Sequence, residues 1–490
     1  LAGRLRRTPL VASPALTERH GAPVHLKCEH QQITGAFKLR GATNAVLALP
    51  PDRRAKGVTA ASTGNHGQSI AWAARAFDTK ATIFVPEGAN PLKVASMERL
   101  GATVVARGVD FDEALIGARE FSEREGAHFI HSANEPDLIA GVATATLEML
   151  EAQPDIEAIF VPIGGGGLIA GIAAYVKSKN PAIRIIGVEP DDSAGMQASL
   201  AAGEPVTLPH VGIFADGVAV RRVGDETFRL CREYVDEIIT VDTDQPCAAI
   251  RDIFEDTRSI VEPAGGLSVA GAKRYIAEHG LEGRTIVTIN CGANVNFDRL
   301  RHIAERAAVG EQQEMLLAAE IPETPGSFRR FCETLGRRGI TEFNYRYSDR
   351  AKAHIFVGVQ LARGQSERRE ILESLASADY PVVDLSNNEM AKLHVRHMVG
   401  GRSPAVANER LFRFEFPERP GALLDFLDAI GNEWNISLFH YRNHGSDYGR
   451  ILAGIDVPPE ETNELERHLS KLGYAHFEES DNPAYAMFLA

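Results

Sequence analysis

The sequence predicts a layered α/β region followed by a smaller, duplicated α+β region. Up to about residue 300, short β-branched runs alternate with helical stretches, the pattern of βα units around a parallel sheet. Beyond that point the alternation stops and a motif recurs along the tail. The 490 residues are 44% hydrophobic and 24% charged, an ordinary globular composition with length for roughly two to four domains.

The strand runs are Val58 to Ala61, Ala81 to Val85, Thr103 to Ala106, Ile159 to Ile163, Ile183 to Val188 and Thr285 to Asn290. Several are apolar throughout, as in Ile159-Phe-Val-Pro-Ile163, which suits strands covered on both faces. Ala158 to Val176 carries no charge and is long enough to suggest a membrane helix. Pro162 and four successive glycines would break such a helix, so strand, loop and helix is the expected parse and no membrane association is predicted.

In the tail, Ile321-Pro-Glu-Thr-Pro-Gly326 returns as Phe416-Pro-Glu-Arg-Pro-Gly421. Phe328, Phe331 and Leu335 are matched by Leu423, Phe426 and Ile430, one apolar helix face in each copy. Thr341-Glu-Phe-Asn-Tyr-Arg346 is matched within Asn435-Ile-Ser-Leu-Phe-His-Tyr-Arg442, a strand. The expected divisions are 1–314, 315–388 and 410–481, with Glu305 to Glu314 as the connection.

A formal net charge of −14 with no basic block argues against a nucleic-acid surface and favours small-molecule work. Five cysteines, an odd number without zinc-ligand spacing, fit a reducing compartment, so a cytoplasmic location is expected. No signal pattern is present, and because the sequence begins at Leu1 rather than Met its natural start is expected upstream.

Three segments in order carry the chemistry. Thr34-Gly-Ala-Phe-Lys-Leu-Arg-Gly-Ala42 offers Lys38, an amine for a Schiff base. Ser62-Thr-Gly-Asn-His66 follows one strand and opens an Ala-rich helix, so Ser62, Thr63, Gly64, Asn65 and His66 would present donors to a substrate carboxylate; taken alone, the segment also reads as a Ser/Asn helix cap. Gly164, Gly165, Gly166, Gly167 and Leu168 join another strand to a helix, where converging N–H groups and the helix dipole suit a phosphate. The run lacks the spacing of a Rossmann fingerprint and the Gly-Lys-Ser/Thr ending of a P-loop, which disfavours a nucleotide. An amine, a phosphate cradle and a carboxylate site together describe a pyridoxal 5′-phosphate enzyme.

With Phe214-Ala-Asp-Gly-Val-Ala-Val220, Gly224-Asp-Glu-Thr-Phe-Arg-Leu-Cys231 and the tail repeat, the chain resembles the biosynthetic threonine dehydratases (threonine ammonia-lyases) over nearly its whole length. The resemblance implies the tryptophan-synthase-β-like fold of two layered α/β subdomains, followed by two ferredoxin-like ACT-like subdomains. It implies Lys38 as the Schiff-base lysine, Asn65 as partner of the cofactor's phenolic oxygen, Gly164 to Leu168 as the phosphate loop and Glu262 beside the ring. Cys291, in Asn290-Cys-Gly-Ala-Asn294, stands where the family usually places a serine against the pyridine nitrogen; by itself it also reads as a small buried hydrophobe. A neutral thiol would not keep that nitrogen protonated, which suits β-elimination better than transamination.

The resemblance further implies deamination of threonine to 2-oxobutanoate and ammonia, a homotetramer, and isoleucine and valine as effectors; Gly326 and Gly421 open helices where an effector carboxylate could dock, and read equally as Pro-Gly turns. Thr34 and Thr63 look more like catabolic dehydratases and serine racemases, which leaves open a lyase acting chiefly on serine or another β-hydroxy amino acid. Thr63 reads as a capping hydroxyl or as a second acid/base group. The racemases' metal pattern after Glu189 is broken by Gly195, so no metal is expected.

Overall fold

Each of the six β-branched runs forms a strand, and further strands form outside them. The computed structural model describes all residues except 2, 282, 348–350, 401–402, 404–405, 418–420, 432, 443–447, 473, 484, 486–488 and 490. The chain divides into two compact units, Leu1–Ala307 and Ala308–Ala490.

In the first unit the strands are β1 (Leu10–Ala12), β2 (Val24–Lys27), β3 (Val58–Ala61), β4 (Ala81–Val85), β5 (Thr103–Ala106), β6 (His128–Phe129), β7 (Ala158–Pro162), β8 (Arg184–Pro190), β9 (Glu237–Val241) and β10 (Ile286–Ile289). They build two sheets, ordered β1-β2-β10-β7-β8-β9 and β5-β4-β3-β6. All pairings are parallel except that of edge strand β1 with β2. Every residue of β3, β7 and β10 is buried, as the apolar run of β7 predicts for a strand with helices on both faces. The charge-free stretch at 158–176 resolves into β7, a glycine loop and the helix Gly167–Lys179. Among the described residues no helix is long and apolar enough to cross a membrane.

Residues 305–314, expected to be a plain connection, are largely ordered into elements: the helix Arg299–Gly310 runs through them and the next strand begins at Glu314. Ile303 and Ala307, four residues apart and buried, give that helix an apolar face.

The second unit contains β11 (Glu314–Pro322), β12 (Ile340–Arg346), β13 (Lys352–Gln360), β14 (Val382–Asp384), β15 (Glu409–Pro417), β16 (Asn435–Arg442), β17 (Tyr448–Asp456) and β18 (Ala475–Glu478). Their order, β14-β11-β13-β12-β16-β17-β15-β18, is the same four-strand arrangement written forwards and then backwards. The copies join through their own repeated motif: β12 pairs antiparallel with β16, Phe343 opposite Tyr441, Asn344 opposite His440 and Tyr345 opposite Phe439. The duplication is thus folded about a local twofold at one continuous sheet. Phe328, Phe331, Leu335, Leu423, Phe426 and Ile430 are all buried in its core, as their spacing predicts.

Candidate active site

In a parallel sheet the loops at the carboxyl ends of the strands converge where helix N-termini also point, so ligands are held there. β3 is followed by Ser62 to His66, β7 by Gly164 to Leu168 and β10 by Asn290 to Asn294.

Lys38 is the first residue of the helix Lys38–Ala48. The segment before it is tied to the end of β10: Ala36 bridges Gly292, and the Phe37 N–H donates to the Cys291 carbonyl at 3.0 Å. The Lys38 amine donates to the Ser132 carbonyl at 3.3 Å, and burial pushes its pKa below the ordinary lysine value. A larger uncharged fraction is what a nucleophile or proton acceptor needs.

Gly164, Gly165 and Gly166 leave no room for a side chain. Gly166 has φ of 90°, and a Cβ there would lie 2.7 Å from the Met196 methyl and 2.9 Å from the Thr227 Cβ. A Cβ on Gly165 would lie 2.7 Å from that of Ala133. The helix Gly167–Lys179 begins with no side-chain cap, so its first-turn N–H groups are left for an anion. These features fit a phosphate-bearing cofactor.

Ser62 caps the next helix, Asn65–Ala76: its Oγ accepts the N–H of Gly64 at 3.2 Å and of Gly67 at 2.9 Å. Thr63 is exposed and has no such bond, so of its two sequence readings the cap belongs to its neighbour. His66 is buried behind the loop, its Nε2 3.1 Å from the Ile130 carbonyl, and burial pushes it down to about 3, so it stays neutral.

Asn65 links the segments. Its Nδ2 donates to Glu262 at 2.7 Å, and its Oδ1 accepts from Asn294 Nδ2 at 2.7 Å. Glu262 is buried at the N-cap of the helix Pro263–His279, and desolvation raises its carboxyl to about 7. Cys291 is buried, and desolvation followed by the Glu262 charge holds its thiol neutral. Asn294 was not singled out from sequence, although it closes the segment already noted at Cys291. His131 was also missed; its Nδ1 accepts the N–H of Ala133 at 3.1 Å and of Asn134 at 2.9 Å.

Both Glu189 oxygens accept backbone N–H groups, from Met196 at 2.8 Å and Gln197 at 2.9 Å, so this carboxylate caps a helix. Among the described residues no cluster of three or more His, Cys, Asp or Glu is placed to hold a metal.

In the second unit, Gly326 (φ 82°) and Gly421 (φ 85°) each precede a repeated helix. Gly326 lines a pocket between the repeats with Arg329, Leu427, Trp434, Asn435 and Ile436. Gly421 lies instead against Arg337, whose guanidinium pairs with Asp425 at 2.8 Å.

A parallel-sheet fold with a half-buried lysine of lowered pKa, a glycine anion loop and a neutral thiol at the end of β10 defines the class: a pyridoxal-phosphate-dependent enzyme. Comparison agrees, since residues 1–292 match the family of pyridoxal-phosphate dependent enzymes. Residues 305–395 and 400–489 each match the C-terminal regulatory domain of threonine dehydratase. The chain is 50% identical to the biosynthetic L-threonine dehydratase of Burkholderia multivorans, over 99% of this chain and 96% of that one. Against the Escherichia coli enzyme of the same name the identity is 50%, over 99% and 94%. Among solved structures, the processed form of threonine deaminase isoform 2 from Solanum lycopersicum superposes with a TM-score of 0.61 at 39% identity, covering 62% of this chain and 84% of that one. Maize serine racemase gives 0.58 at 35%, covering 61% and 92%. The chain belongs to the biosynthetic threonine dehydratases that carry a duplicated regulatory tail.

Proposed function

We propose that the chain deaminates L-threonine to 2-oxobutanoate and ammonia by β-elimination of water, the first step of isoleucine biosynthesis, under feedback inhibition by isoleucine. The observation that carries this reading is the Lys38 amine, held by Ser132 with a lowered pKa, in a chain matching biosynthetic dehydratases from end to end.

When bound, pyridoxal phosphate supplies a sink for the electrons left on the substrate's α-carbon. In our reading the Lys38 amine takes the α-proton, its burial keeping a usable fraction unprotonated. The amides of Gly164 to Leu168 and the dipole of the helix Gly167–Lys179 would hold the phosphate. The Ser62 hydroxyl and the first-turn amides of the helix Asn65–Ala76 orient the substrate carboxylate, with His66 as a neutral wall. Asn65, whose Nδ2 donates to Glu262, would offer its remaining N–H to the cofactor's phenolic oxygen. Cys291, kept neutral, would face the pyridine nitrogen without protonating it, which would favour elimination over transamination.

We assign the catalytic role to 1–314 and regulation to subdomains 315–388 and 410–481. Isoleucine as inhibitor and valine as activator act through the tail, with Gly326 and Gly421 as effector positions; Gly326 lines a small pocket between the repeats that would have to open to admit an amino acid. A cytoplasmic homotetramer completes the proposal, and the five buried, unpaired cysteines favour such a reducing setting.

The test is kcat/KM for L-threonine against L-serine with the cofactor-loaded protein. The proposal requires a preference for threonine; one methyl in an apolar pocket is worth about 1 to 3 kcal/mol. A preference for serine would sink it.

A further inference from the structure

The hydrogen bonds around Asn65 have a direction, and a backbone atom sets it. Asn294 Nδ2 lies 2.9 Å from the Thr34 carbonyl oxygen and 2.7 Å from Asn65 Oδ1. A backbone carbonyl can only accept, so the Asn294 atom facing Thr34 must be its nitrogen. That nitrogen carries two hydrogens, and the second points to Asn65, so the Asn65 atom receiving it must be oxygen. The remaining arm of Asn65 is therefore the nitrogen, and one of its hydrogens goes to Glu262 Oε1 at 2.7 Å. Its other hydrogen has no partner among the described residues.

The restraints on this chain of groups are tight. Glu262 N donates to the Gly292 carbonyl at 3.0 Å, and Ala293 N donates to the Gly35 carbonyl at 2.9 Å. A Cβ on Gly292 would lie 2.3 Å from Glu262 Oε1 and 3.2 Å from Asn65 Nδ2, so only glycine lets these side chains meet. The lysine segment, the asparagine loop, the end of β10 and the cap of the helix Pro263–His279 thus share one network.

We infer that Asn294 is a positioning residue: with the Thr34 carbonyl it fixes the Asn65 amide so that Asn65 always presents an N–H, and never its oxygen, to the cofactor. Without Asn294 the amide could turn over whenever Glu262 is protonated, because a neutral carboxyl can donate to Asn65 Oδ1. The inference rests on the reading of Asn65 as partner of the phenolic oxygen. A donor to an anionic oxygen favours the ionised form, so losing it raises the pH at which the lysine-bound cofactor's visible band converts.

The test uses the full, cofactor-loaded chain as Asn65→Ala, Asn294→Ala, Asn294→Asp and the double variant Asn65→Ala/Asn294→Ala. The readouts are the pH midpoint of the visible band and the cofactor dissociation constant. Both Asn294 variants should move the midpoint upward, in the same sense as Asn65→Ala. The dissociation constant should rise about tenfold in either single alanine variant and no further in the double. Asn294→Asp keeps the size of the side chain while removing both donors, so it decides the matter if the alanine variant does not fold. Additive losses in the double variant, or wild-type spectra and affinity in both Asn294 variants beside an altered Asn65→Ala, would overturn the inference and leave the reading of Asn65 intact. Wild-type behaviour in Asn65→Ala would overturn that reading, and the inference with it.

Discussion

Lys38 Nζ donates to the Ser132 carbonyl at 3.3 Å, and the same short turn sets Ala133 where a Cβ on Gly165 would lie 2.7 Å from its own. The Lys38 amine and the glycine run therefore share one support. His131 builds that support, because its Nδ1 accepts two successive N–H groups and burial pushes its pKa down to about 4, keeping the ring neutral and able to accept.

Replacing His131 with Phe keeps the ring shape and removes the acceptor, so the turn loosens. A fall in kcat/KM of about tenfold or more is expected, with substantial recovery in His131→Asn, whose side-chain oxygen can accept in an Asx turn. Steady-state kinetics of the two variants side by side check this.

Gly166→Ala puts a methyl group into Met196 and Thr227 at a φ of 90°. Strain and overpacking should together cost about 1 to 3 kcal/mol of stability. The cofactor dissociation constant should rise at least about tenfold, measured by fluorescence titration of the cofactor-free protein.

Glu262 gives a pH-dependent outcome. Its folded carboxyl is raised from 4.5 to about 7, first by burial and then by the charge of Asp216. The folded state then holds this proton more tightly than the unfolded chain, so Glu262 costs stability as pH rises from 4.5 towards 7. Glu262→Gln removes that cost while still accepting from Asn65. Its stability relative to wild type should improve by about 2 to 3 kcal/mol between pH 4.5 and 8, followed by urea unfolding of the cofactor-free proteins.

Ile436 lines the pocket beside Gly326 between the two repeats. Ile436→Trp should fill it, raising the isoleucine concentration for half-inhibition at least about tenfold while leaving kcat/KM for threonine within about twofold. Initial rates across an isoleucine series measure both quantities.

Three strands were legible residue by residue: β3, β4 and β5 stand where their β-branched runs begin and end, whereas β7, β8 and β10 are displaced from their runs by one or two residues at an end. The two-residue β6 was not, because so short a strand has no period to read and exists only through its pairing with β3. Lys38, the glycine run and the asparagine loop were visible because each sits in a compact local motif. Asn294 was not, since its partner Thr34 lies 260 residues away and only the fold brings them together. Thr63 shows the limit of local reasoning: two adjacent hydroxyls could both cap, and it is Ser62 whose Oγ reaches the N–H groups of Gly64 and Gly67. The mirrored order of the regulatory strands was likewise hidden, although the repeat itself was plain.

The most direct test of the central claim is to load the protein with pyridoxal phosphate, reduce it with borohydride, digest it and locate the pyridoxyl group by mass spectrometry. The site described here requires the label on Lys38 in stoichiometric amount, and none in Lys38→Ala. A label on another lysine, such as Lys27 or Lys93, or no covalent label in a folded protein, would contradict it.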